Sequence, residues 1–222
     1  MEGKNGISGF SAARLTASIF GVLGGIGGLM HGIGESLQGS VAPGGLYFPS
    51  WAQGPIADHM NGDPALSLIP NLLVTGILAI IVSLAVVVWS AAFVQRRRGG
   101  LVLIGLMIVL LLVGGGVGPI VVGVLAGVAG LGIHAPHTGW RKRPGSVRRV
   151  LAMIWPLVFG ISLLSGLLLF LGSIVLMFVF DVGNSDFYFG LFQLTAVALL
   201  LSVICGAAYD AERLERGAVG AS

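Results

Sequence analysis

Long apolar runs separated by short polar stretches dominate this chain. They cover roughly residues 12–34, 70–94, 101–133, 150–180 and 187–208. Each reaches the roughly 17–25 residues that a helix rising 1.5 Å per residue needs to cross about 30 Å of hydrocarbon. The pattern predicts an all-α, polytopic transmembrane helical bundle in a single integral membrane domain.

The third run departs from the others. As one helix, residues 101–133 would be about 50 Å long, and Gly114-Gly115-Gly116-Val117-Gly118-Pro119 interrupts it midway. Four full spans plus a central glycine-broken helical hairpin are therefore expected, the hairpin being either re-entrant or two short spans. In the fourth run, Pro156 cannot donate a backbone hydrogen bond and predicts a kink or strong tilt. Asp63-Pro64 reads as a cap and helix-start proline leading into the second span.

Charge placement supports the hairpin. Lys4 and Arg14, the Arg96–Arg98 triplet, the loop 134–149 with Arg141, Lys142, Arg143, Arg148 and Arg149, and the tail 210–222 with Arg213 and Arg216 hold all 12 basic residues. A returning hairpin puts them all on one side. Glu35, Asp58, Asp63, Asp181 and Asp186, five of the 9 acidic residues, then fall on the other. The positive-inside rule makes both termini cytoplasmic and the loop 35–65 exoplasmic, with Tyr47, Phe48 and Trp51 resting at the interface.

Composition narrows the class further. The chain of 222 residues is 55% hydrophobic and 9% charged, with a mean hydropathy of +0.98; an ordinary soluble domain carries about 25% charge. The net charge of +3 lies in short linkers, so topology rather than nucleic acid accounts for it. Cys205 is the only cysteine, which excludes an intrachain disulfide and a thiolate cluster. Ser40-Val41-Ala42 precedes Pro43, so the first run reads as a retained helix and not a cleaved signal. Arg supplies 10 of the 12 basic residues, a bias of GC-rich genomes, and with no disulfide or organellar signal this suits a bacterial plasma membrane.

Glycine carries much of the remaining information. Gly21/Gly25, Gly24/Gly28, Gly28/Gly32 and Gly123/Gly127 repeat at i,i+4, with Ala126/Gly130 beside the last pair, and such stripes let helices approach closely. The expected partners are the lipid bilayer and, through these stripes, another copy of the chain or another membrane protein.

Three groups of residues are candidate sites. His31 and Glu35, four apart, share a helix face, and with Asp58, His59 and Asp63 in the next loop they offer nitrogen and carboxylate ligands for a divalent metal. Gly114, Gly115, Gly116, Gly118 and Pro119 at the hairpin tip, with Gln193, offer a broken-helix path of the kind that channels use. Arg141, Lys142, Arg143, Arg148 and Arg149, near His134, His137 and Trp140, form a basic loop suited to anionic lipid headgroups.

No Asp, Glu, Lys, Arg or His lies within residues 70–94, 101–133, 151–180 or 187–208, which weighs against a proton- or Na⁺-coupled transporter. No phosphate loop, nucleophile elbow or zinc-protease motif is present, so an enzyme is disfavoured and no cofactor is expected. The reading is a non-enzymatic membrane component, self-associating or part of a larger complex. The alternatives are a small channel or facilitator and, after it, an exoplasmic metal-binding protein or membrane-embedded enzyme.

Overall fold

The computed structural model describes residues 11–136 and 138–219. The chain is an all-α bundle with four helices long and apolar enough to cross a membrane: Ala12–Leu37, Leu72–Ala92, Gly145–Phe180 and Ser185–Arg216.

Helix α1 (Ala12–Leu37) is the axis. In its apolar window 61% of residues are buried, against 33%, 33% and 44% in the other three long helices. Glycine makes this possible. A Cβ on Gly21 would lie 2.3 Å from Ser90 Oγ and one on Gly32 2.8 Å from the Gly76 carbonyl, both on α3 (Leu72–Ala92). A Cβ on Gly24 would lie 3.0 Å from the Pro119 carbonyl on α5 (Val117–Gly132). The α1 stripes are thus filled by the chain's own helices.

Large apolar side chains point outward. Along α3, Val74, Ile77, Ile81, Leu84 and Val88 recur every three or four residues and are exposed, while Thr75, Gly76, Ala79, Ser83 and Ser90 are buried. An exposed aliphatic face over a small, polar interior suits lipid and not water.

The middle run folds back as α4 (Gly99–Leu112) and α5, with the break at residues 113–116. At 14 and 16 residues the arms are about 21 and 24 Å long, short of a full crossing. At its base, Trp89 Nε1 donates to the Gly99 carbonyl (2.9 Å) and His134 Nε2 bonds the Gln95 carbonyl (2.7 Å). Both basic loops therefore lie at the end of the bundle that carries the start of α1 and the end of the last helix. There Asp210 of α9 (Ser185–Val219) accepts from Ala12 N at 2.8 Å, Ala13 N at 3.0 Å and Ser11 Oγ at 2.9 Å, satisfying donors that a helix start leaves unpaired. Residues 210–219, expected as a polar tail, continue this helix.

The opposite end, called here the hairpin end, is closed by the segment between α1 and α3. It contains β1 (Tyr47–Pro49) paired antiparallel with β2 (Pro64–Leu66), and α2 (Pro55–Met60) between them. One local expectation is corrected. Asp63-Pro64 does not start a helix: Asp63 has φ +50° and Pro64 opens β2 opposite Pro49, and the cap of α3 is Asn71, which accepts from Val74 N at 3.1 Å. Pro156 lies inside the uninterrupted helix α7 (Gly145–Leu167) on its exposed side. The departure from α geometry comes later, in a π turn at Leu168–Gly172 leading into α8 (Ser173–Phe180). A short helix, α6 (Thr138–Arg141), precedes α7.

Gly32→Ala should destabilise the protein in detergent by about 1–3 kcal/mol, because the added methyl meets backbone rather than a movable side chain. Gly105→Ala, which meets nothing within 4 Å, should leave unfolding unchanged. Comparing the two in denaturant titrations checks whether α1–α3 backbone contact holds the bundle.

Candidate functional site

The i,i+4 spacing of His31 and Glu35 places both on the α1 face turned toward the hairpin tip, where they are 1% and 0% exposed. His31 Nδ1 bonds Ser50 Oγ at 2.8 Å, and Ser50 Oγ donates to Glu35 Oε1 at 3.1 Å. His31 Nε2 stands 3.0 Å from Asp63 Oδ2, an ion-pairing distance, yet without the alignment of a hydrogen bond. Glu35 Oε2 is likewise buried without a hydrogen-bond partner.

The glycine tip rests directly on this pair. Gly114 (φ +100°) and Gly116 (φ +76°) adopt conformations that other residues rarely take, and a Cβ on them would lie 2.3 Å from Glu35 Oε2 and 2.0 Å from His31 Nε2. Two candidate sites that the sequence keeps apart, the His31/Glu35 pair and the Gly114–Pro119 break, are therefore one place. Ionisable side chains inside a helix long and apolar enough to cross a membrane mark a candidate functional site.

Beside this cluster lies a cavity of about 470 Å³. α1 contributes Gly27, Met30 and His31; the closing segment contributes Trp51, Ile56, Met60 and Asp63. The start of α5 contributes Gly118 and Pro119, the π turn and α8 contribute Phe170, Ser173 and Met177, and α9 contributes Asp186, Tyr188 and Phe192. Gly27 is required here: a Cβ would lie 2.6 Å from the Phe170 ring and 2.7 Å from Pro119. The π turn that displaces α7 from regular geometry thus carries Phe170 to the cavity, in keeping with the frequent use of π-bulges at working sites.

The proposed metal ligands separate. His31, Glu35 and Asp63 gather at the tip. His59 instead bonds Asp181 Oδ1 through Nε2 (2.8 Å) and the Gly183 carbonyl through Nδ1 (2.7 Å), fastening α2 to the α8–α9 turn. Asp58 is exposed on α2. Among the described residues no three His, Cys, Asp or Glu side chains form a metal-holding group.

The other sites are also redistributed. Gln193 is exposed on the outer face of α9, while Gly114, Gly115 and Gly116 are buried. In the basic loop, Arg148 is 7% exposed and turned inward, its Nε donating to Glu212 Oε2 at 2.7 Å and its Nη2 pairing with Glu215. It is thereby withdrawn from headgroups, whereas Lys142, Arg143 and Arg149 remain exposed. Lys4, His137 and the Arg141 side chain lie outside the described residues. Ser50, which joins His31 to Glu35, had no sequence signal.

The fold and this buried polar cluster define a multi-pass membrane protein, and nothing narrower. No family model, no curated protein and no solved structure matches the chain.

Both His59 nitrogens face oxygen acceptors, so the ring satisfies both only as the imidazolium, and the Asp181 hydrogen bond followed by the Gly183 carbonyl raises its pKa above the usual histidine value. Because the folded-state pKa is the higher, the latch is fully present below the unfolded histidine pKa and is lost as pH rises through the folded one. NMR titration should find His59 above an ordinary histidine, and Asp181→Asn should bring it back toward that value. An unshifted His59 in the parent protein would remove the latch.

Proposed function

We propose that this chain is a non-enzymatic membrane component that binds a small, largely apolar molecule in the cavity at its hairpin end. The observation that carries the proposal is the cavity itself. At about 470 Å³ it falls within the roughly 300–1,000 Å³ of small-molecule sites, and its apolar walls with a few convergent polar groups have the composition of such sites. The buried His31–Ser50–Glu35 chain gives one wall a fixed polar orientation.

The same reading takes the hairpin end as exoplasmic and both termini as cytoplasmic, in a bacterial plasma membrane. Its support is the placement of every described Lys and Arg toward the terminus end, opposite Glu35, Asp58, Asp63, Asp181 and Asp186. A channel past the glycine tip draws less support, because Gly114 and Gly116 are packed on Glu35 and His31 and Gln193 faces away from them. The glycine stripes, filled internally, no longer argue for a protein partner.

Native mass spectrometry of protein extracted gently from its own membrane should show a retained small molecule. Gly118→Phe, where a Cβ meets only the Phe192 ring at 3.7 Å, should fill the cavity and abolish retention in a folded protein. Equal retention by this variant, or none by the parent, would contradict the binding role.

Orientation is checked separately in a Cys205→Ser background. Leu46→Cys should react with a membrane-impermeant maleimide on intact cells and Thr138→Cys should be protected; the reverse pattern would invert the topology.

A further inference from the structure

We infer that the cavity selects a lipophilic cation, a protonated amine carried on an apolar body. This rests on the reading that the cavity binds a ligand, and it names the ligand's chemistry.

Three independent features point to it. The first is the polar wall. Ser50 gives its proton to Glu35, so its oxygen receives the Nδ1–H of His31. His31 Nε2 lies 3.0 Å from Asp63 Oδ2 without an aligned hydrogen bond, and while His31 is closed off, the Asp63 side chain keeps 31% of its surface open beside the cavity it lines. An ammonium group brings both N–H donors and opposite charge to that carboxylate; an alcohol brings a donor alone, and a carboxylate neither.

The second feature is the field. The cavity lining holds Asp63 and Asp186 and neither Lys nor Arg, and every described Lys and Arg belongs to the far end of the bundle. An anion entering here would meet two carboxylates and no Lys or Arg, whereas a cation meets complementary charge at the rim, where Asp186 is exposed, and again at Asp63 on the wall. The third is the wall material. Trp51, Phe170, Tyr188 and Phe192 present aromatic rings, whose negative faces attract a desolvated cation while accommodating its apolar body. Met30, Met60 and Met177 add unbranched, adaptable surface.

The test uses the full chain in zwitterionic nanodiscs with three probes sharing one compact cage: 1-adamantylamine, 1-adamantanol and 1-adamantanecarboxylate. Binding is read by calorimetry after subtraction of empty nanodiscs. The amine should bind about tenfold or more tightly than the alcohol, and the carboxylate more weakly than either. Asp63→Asn should remove the amine's advantage and keep alcohol binding, which also shows that the variant is folded. Asp186→Asn, on the exposed rim, should reduce the advantage in part and serves if Asp63→Asn fails to fold.

Equal affinity for amine and alcohol, or an advantage untouched by both substitutions, would overturn the cation assignment while leaving a ligand cavity in place. Absence of binding by all three probes to the parent protein would overturn the cavity reading together with the inference.

Discussion

A helix that breaks inside a membrane must find hydrogen-bond partners for its freed backbone, because no water is present to take them. That constraint organises this protein. At the tip of the α4–α5 hairpin, the Leu112 carbonyl accepts from Leu68 N at 3.0 Å, the Val113 carbonyl from Thr75 Oγ1 at 2.7 Å, and the Leu110 carbonyl from Gly115 N at 2.8 Å. Leu68 belongs to the segment that closes the hairpin end and Thr75 to the first turn of α3, so that segment and the helix it leads into together complete the tip. The same segment brings Ser50 and Asp63 to His31 and Glu35, and the break, the lid and the buried polar cluster form one unit.

Packing elsewhere follows from keeping that unit compact. Glycines on α1 let α3 and α5 come within backbone contact, and the serines and threonines of α3 turn inward with them. The second helix pair, α7–α8 with α9, packs chiefly on itself and meets the rest through Phe20, Phe159, Phe170, Leu169 and Leu199. It is also tied at both ends, by Asp210 to the start of α1 and by His59 to the α8–α9 turn. Between these ties the π turn and the tip of α5 leave the space that becomes the cavity.

Much of the architecture was legible because it follows from local composition. Apolar run length identified the four spans, and the Gly114–Pro119 interruption within an overlong run identified the hairpin. The site was legible only in fragments. The spacing of His31 and Glu35 announced a shared face, but nothing local says that Gly114 and Gly116 will be the surface they meet, since those contacts span 79 residues of chain from Glu35 to Gly114 and 85 from His31 to Gly116. Ser50, the His59–Asp181 bond and the inward turn of Arg148 depend on partners equally remote. One local signal misled for a physical reason: Asp63-Pro64 resembles a helix start, but Pro64 is accommodated at the end of a short strand pair, and Asn71 stands nearer the apolar run to cap it. Pro156 lies inside α7, and the π turn falls in an apolar stretch with no proline at all.

The central claim is that the hairpin tip is held by the closing segment, and the contact that tests it most directly is the isolated antiparallel bridge between Ser67 and Val113. Bridge partners of this kind have Cα atoms roughly 4.5–5.5 Å apart, within the range a disulfide spans. In a Cys205→Ser background, the double variant Ser67→Cys with Val113→Cys should form an intramolecular disulfide under mild oxidation, identified by mass spectrometry of the linked peptides. Thiols that remain free, or that link only between molecules, would mean that the tip lies elsewhere, and the closed site described above would fail with it.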